Sequence, residues 1–347
     1  MRPGDHLHYL LGDVRIPLHE PEAPTDWKEW YHFVLFDPQG GVRILANCSL
    51  SGVPGNGQVT FSTLATVAEA DHRYETYGFV RDAEWEIGSV GRAPFRAESG
   101  GFACVVDGPN SWFNGRDSRS GVALALRGRA LVDPLVIPEY LPFGSGFVGW
   151  GLVPGVRPDG ELRIGDQSFS IGSDWFCYHD HNYGRFRWGD DVGWIWFVIS
   201  ARLPGGEDLV LVMHRGNSRQ ASRIGTPYLF VYAGGALRKS FVGATLDIVW
   251  TWTDVPVRPP RMPGSMASLF AAHPTRVPTG LKIDAADEKD RLALRMSVDS
   301  LMEYILPDNV HRQYSFIEEM NGRAAIACRI GTLEGETEGP FYAEFVH

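Results

Sequence analysis

Six consecutive side chains able to do polar or aromatic chemistry, Tyr178-His179-Asp180-His181-Asn182-Tyr183, run into Gly184 in this chain. In a strand, successive side chains point to opposite faces, so Tyr178, Asp180 and Asn182 would share one face and His179, His181 and Tyr183 the other. A strand in a closed barrel turns one face to the lumen, where unpaired polar groups are costly. Such a run marks a site, or otherwise a hydrogen-bonded network that locks two halves of the fold together. Asp180 is the candidate acid, because desolvation disfavours a carboxylate and keeps the carboxyl protonated near neutral pH. Tyr178 and His181 are its candidate catalytic partners, placed to orient or reprotonate it.

The same run offers a rival chemistry. His179 and His181 stand at i and i+2, a spacing that metal-binding barrels use. No nearby Glu completes a ligand set, and a third ligand such as His214 would have to come from elsewhere, so no metal is expected. Should Asp180 prove inert, Glu344, Glu318 and Glu319 are the secondary acids. Gly144-Ser145-Gly146-Phe147-Val148-Gly149 matches a dinucleotide fingerprint in form only, since Pro142 precedes it and Trp150-Gly151 and Pro154 follow where a helix should begin. No nucleophile elbow, phosphate loop or His-Glu-x-x-His helix is present.

Indoles are abundant: Trp30, Trp194 and Trp196, with Trp150, Trp175, Trp188, Trp250 and Trp252. Any one of them is adequately explained as core. Together they describe a cavity for a large unsaturated or polycyclic molecule, because aromatic faces grip flat apolar ligands and attract cationic centres. Trp30, His32, Asn182, Trp194 and Trp196 are the candidate substrate-binding residues.

These residues need elements to hold them. The chain has 347 residues, 40 Gly, 23 Pro, 11 Trp and 19 Phe, a composition of aromatic strands separated by many turns. Its length suits two domains. Apolar runs are short and alternate, as in Val42 to Ala46, Gly121 to Leu126, Leu209 to Met213 and Leu229 to Tyr232. Leu292, Leu294 and Met296 repeat at two, so Ala285 to Leu301 reads as a hairpin turning through Asp287-Glu288-Lys289-Asp290. A weak internal repeat organises the whole. Trp30 to Leu35, Gly40-Gly41 and Ile44-Leu45 are echoed by Trp194 to Ile199, Gly205-Gly206 and Leu209-Val210, at offsets of 164 to 165 residues. Two fused barrel-like halves follow, 1–187 and 188–347, with Pro/Gly-rich stretches such as Arg258 to Gly264 as loops.

A net charge of −10 argues against nucleic acid or an anionic membrane surface as partner. No apolar run reaches the length of a membrane span, and the Met1 to His6 start lacks the apolar core of a signal peptide, so a cytoplasmic location is expected. Cys48, Cys104, Cys177 and Cys328 are too scattered for a zinc site or disulfide frame and read as buried thiols.

The Trp30-Tyr31 strand after Glu29, the Tyr-x-Asp-His-Asn-Tyr-Gly block and the Trp194-Ile195-Trp196 strand together resemble the carotenoid 1,2-hydratase (hydroxyneurosporene synthase) superfamily, which is related to lipocalin-like Diels–Alderases and more distantly to tocopherol cyclases. The resemblance departs at Tyr183, where the hydratases commonly carry Trp, and at Glu29-Trp30-Tyr31, where a Glu-Trp-Trp-Tyr run is usual. It implies an all-β protein of two tandem lipocalin-like antiparallel barrels. It also implies a lipophilic polyene, terpenoid or polyketide substrate, no metal or organic cofactor, and Asp180 as proton donor. The chemistry agrees: protonating an alkene needs an undissociated acid, a dry pocket and aromatic walls for the carbocation. Acid-initiated hydration or cyclisation is therefore the expected function. A Diels–Alder cyclase, which needs shape and one hydrogen bond more than an acid, and a non-catalytic carrier of a lipophilic ligand are the alternatives.

Overall fold

A computed structural model describes residues 27–53, 56–68, 74–84, 95–99, 101–137, 141–188, 192–219, 224–256, 274–308 and 313–347. The Met1 to His6 start and the Arg258 to Gly264 loop lie outside the described residues. The chain is all-β and divides into two compact units after Phe186. Among the described residues the helical content is one 3-10 turn, Gly243–Thr245, and no helix is long and apolar enough to cross a membrane.

The first unit holds β1 (Trp27–Phe36), β2 (Val42–Val53), β3 (Asn56–Ala68), β4 (Tyr74–Glu84), β5 (Phe95–Ser99), β6 (Phe102–Asp107), β7 (Asn110–Asp117), β8 (Val122–Ala130), β9 (Leu135–Val136), β10 (Leu141–Phe143), β11 (Gly146–Val153), β12 (Val156–Ile164), β13 (Gln167–Ile171) and β14 (Phe176–Arg185). One sheet runs β10-β11-β14-β1-β2-β3-β4, with β9 also on β11, and the other runs β13-β12-β8-β7-β6-β5. Both contribute to one core, in which Tyr31, Phe33 and Leu35 of β1 meet Phe113, Leu124 and Leu162. Gly144 takes φ 55° in the turn between β10 and β11, so the glycine-rich stretch at 144–149 is a hairpin.

The second unit holds β15 (Gly193–Arg202), β16 (Asp208–Asn217), β17 (Tyr228–Ala233), β18 (Ala236–Val242), β19 (Leu246–Pro256), β20 (Pro274–Ala286), β21 (Arg291–Asp308), β22 (Gln313–Ile330) and β23 (Leu333–Val346). The order β18-β17-β16-β15-β23-β22-β21-β20-β19 joins chain neighbours everywhere except at β15–β23, where the unit's first strand pairs with its last. That is an up-and-down meander curled on itself. Phe241 of β18 and Leu246, Ile248, Trp250 and Trp252 of β19, the two ends of the path, share a single core. The hairpin expected at 287–290 is present between β20 and β21, where Asp287 Oδ1 accepts the backbone N–H of Lys289 and of Asp290, each at 2.9 Å. All four cysteines are buried and free.

The repeat has a structural counterpart. β1 pairs with β2 and with β14, the last strand of its unit, as β15 pairs with β16 and β23. Tyr31, Phe33 and Leu35 and their counterparts Ile195, Phe197 and Ile199 all face their unit's core. In the turn that follows, Gly40 (φ 70°) and Gly206 (φ 86°) hold the left-handed conformation. Each donates its N–H to the residue three back, to Asp37 at 2.9 Å and Leu203 at 2.8 Å. Glycine is the residue that adopts this conformation without steric cost.

Candidate functional site

β14 lies between β1 and β11, so its backbone groups are satisfied on both sides and its side chains stand away from a sheet edge. Its core-facing side chains are Cys177, His179, His181 and Tyr183, and the opposite face carries Tyr178, Asp180 and Asn182. That opposite face is also buried: Tyr178 is 0% exposed and Asp180 3%. The approach of β11 is close. A Cβ on Gly184 would lie 2.1 Å from the Phe147 carbonyl oxygen and 2.9 Å from Val148 Cα, so only glycine lets β11 dock there.

That docking completes the site. Asp180 sits opposite His32 of β1 and Leu152 of β11. Its Oδ2 accepts the Tyr178 hydroxyl at 2.8 Å and the Trp150 indole N–H at 3.1 Å, and its Oδ1 accepts the Asn182 amide at 2.9 Å. Burial pushes the carboxyl up from 3.8 to about 7, against the three donors, which pull it down. Trp30 stands opposite Asn182 on the same face, with its ring edge-on to Phe186 at 6.1 Å. His32 is 3% exposed and held neutral, its pKa pushed down to about 3 by burial and secondly by His179. The result is a carboxyl poised to exist as acid or base near neutrality, beside neutral aromatic and imidazole groups.

His181 corrects the expectation made for it, because it is not Asp180's partner. Alternation sends it to the core side, where Nε2 meets Glu29 Oε1 at 2.9 Å and the ring stacks on Tyr31 at 4.3 Å. The Tyr31 hydroxyl donates to the same Glu29 oxygen at 2.9 Å. His179 joins this face, with Nδ1 on the His32 carbonyl at 3.0 Å and its pKa pushed down to about 3 by burial. Both imidazoles are thus committed to protein partners, and among the described residues no three His, Cys, Asp or Glu side chains are arranged to hold a metal ion.

Trp194 and Trp196 belong to the second unit, on the β15 face turned away from its core. Trp194 Nε1 donates to Glu344 Oε2 at 2.9 Å, and Glu344 stands opposite both Trp196 and Glu319. Burial, and then the charge of Glu344, hold the Glu319 carboxyl well above the usual range. Two of the secondary acids therefore form a buried carboxyl pair beneath indoles. Trp150 and Glu29, which contact Asp180 and His181, are not among the site residues expected from the sequence. Trp150 lies within Gly149-Trp150-Gly151, a lone large ring between glycines on a strand, and that isolation was its available signal.

The fold is shared with lipocalin-like proteins of known structure. Kievitone hydratase from Nectria haematococca matches with a TM-score of 0.59 and 12% identity, over 97% of this chain and 95% of that one. An AttH-like protein from Nitrosomonas europaea matches with a TM-score of 0.60 and 14% identity, over 96% of this chain and 98% of that one. CghA, crystallised with Sch210972, matches with a TM-score of 0.62 and 11% identity, over 97% of this chain and 94% of that one. No family model and no curated protein sequence matches the chain.

Proposed function

We propose that this protein is an enzyme of natural-product metabolism that needs no metal or organic cofactor and adds a proton from Asp180 to a carbon–carbon double bond of a lipophilic substrate. The observation that carries the reading is the Asp180 carboxyl, buried among Tyr178, Trp150 and Asn182 and raised to about 7. The proton leaves Asp180 for the alkene carbon, and the resulting cation lies beside Trp30 and Trp150, whose ring faces stabilise positive charge. Water then adds to the cation and returns a proton to the Asp180 carboxylate, which is hydration. Capture by a second double bond of the same molecule, followed by proton loss, is cyclisation. Asn182 serves both protonation states, since its NH2 donates to a carboxylate and its carbonyl oxygen, after a turn of the amide, accepts from a carboxylic acid. The similarity of fold to a protein named as a hydratase supports the hydration branch of this reading.

The test is incubation with a panel of prenylated phenolics and linear polyenes in oxygen-18 water and separately in D2O, read by mass spectrometry. Hydration incorporates one oxygen-18, whereas acid-initiated cyclisation incorporates deuterium alone. Asp180→Asn abolishes either product and leaves substrate binding intact. Turnover that survives in Asp180→Asn would replace this reading with a pericyclic one, and wild type that binds without turnover would replace it with a carrier.

A further inference from the structure

The core-facing side of the second unit carries polar groups that the Asp180 chemistry does not use. Alternation along β16 places Leu209, Leu211, Met213 and Arg215 on that side. Arg215 is 7% exposed, and its guanidinium has no hydrogen-bond or ion-pair partner among the described residues. On β22, Glu318 shares the face of Met320 and is 0% exposed. One of its oxygens takes His347 Nε2 at 2.7 Å, and the other has no hydrogen-bond partner among the described residues.

The register sets these groups in one row across four strands. Arg215 stands opposite Ile195, Ile195 opposite Phe345, and Phe345 opposite Glu318. Three strand spacings of about 4.8 Å separate the ends of the row along the sheet, and no ion pair joins them. Aromatic rings surround the middle of the row: Trp252 lies 5.1 Å from Phe345, His347 5.2 Å and Trp250 5.7 Å. The Trp250 indole N–H is a further buried donor with no hydrogen-bond partner among the described residues.

A guanidinium remains protonated even where burial pushes its pKa down, as it does here. A buried cation without a counter-charge is unfavourable, and a carboxylate matches the guanidinium fork with two parallel hydrogen bonds. The Glu318 carboxyl is raised by burial, which lessens its repulsion of a neighbouring anion. A guanidinium fork among several rings suits a carboxylate headgroup on an apolar body.

We propose that the interior of the second unit is a binding site for a lipophilic carboxylic acid, its carboxylate held by Arg215 and its apolar body packed against Phe345, Trp250 and Trp252.

The experiment titrates the full chain with 1-pyrenebutyrate and with the uncharged 1-pyrenebutanol, read by energy transfer from tryptophan to pyrene. Wild type binds the carboxylate at least about tenfold more tightly than the alcohol, the value of a charge-assisted pair. Arg215→Gln brings the two to parity, while Asp180→Asn leaves the preference unchanged. Equal affinities in wild type, a preference that survives Arg215→Gln, or one lost in Asp180→Asn would each overturn the site. Should Arg215→Gln fail to fold by circular dichroism, Arg215→Lys decides. A reduced but remaining preference supports the two-bond pairing, and an unchanged one overturns it.

Discussion

Trp150 donates its indole N–H to Asp180 at 3.1 Å across the β11–β14 pair, joining two residues thirty positions apart. This bond and the one from Tyr178 lower the Asp180 pKa, opposing the burial that raises it. Removing either donor therefore raises that pKa further. If the protonated carboxyl is the working form, the rate declines as pH rises through about 7 in wild type. In Trp150→Phe or Tyr178→Phe the decline moves to higher pH, by about one unit for a charge-assisted bond. A pH–rate profile measures this directly, and a profile that moves to lower pH would contradict the assignment.

Asp180 also leaves a signature in stability that needs no substrate. Its folded pKa lies above its unfolded one, so between about pH 4 and 7 the folded state binds the extra proton. Stability is consequently lost as pH rises through that window. A gap of about three pH units corresponds to about 4 kcal/mol at most. Asp180→Asn is neutral at every pH and escapes the loss. Thermal melts of both proteins from pH 5 to 9 should show the variant gaining several degrees on wild type as pH rises, and a constant difference would mean that the carboxyl titrates in its ordinary range.

What the sequence made legible followed from period two. The grouping of Tyr178, Asp180 and Asn182, and their separation from His179 and His181, needed only the alternation of a strand. The hairpin at 287–290 was legible from Leu292, Leu294 and Met296 for the same reason. Arg215 could have been read in the same way, since it continues the Leu209, Leu211, Met213 face. Contacts set by register were not legible. Glu29 meets His181 because the first and last strands of a unit pair, a closure between residues 152 positions apart. Trp150 reaches Asp180 because β11 docks on the edge of β14 away from β1, and nothing in Gly149-Trp150-Gly151 names its partner. The glycine at the end of the polar block, which makes that docking possible, is a part of the motif whose purpose appears only in three dimensions.

Gly184 therefore yields a prediction that separates positioning from chemistry. A Cβ there would meet the Phe147 carbonyl oxygen at 2.1 Å and Val148 Cα at 2.9 Å, both backbone atoms that cannot rotate aside. Gly184→Ala must push β11 off β14, and Trp150 moves with β11. The expected cost is about 2 kcal/mol or more in stability, the scale of an overpacked core. Asp180 itself is untouched, so the substitution should retain a folded protein at low temperature whose pH–rate decline has shifted upward, as in Trp150→Phe. Denaturant unfolding and the pH profile check the two halves of this statement. An alanine variant with wild-type stability would show that β11 does not press on Gly184. One that is destabilised but keeps the wild-type pH profile would show that Trp150 reaches Asp180 without the close approach of the two strands.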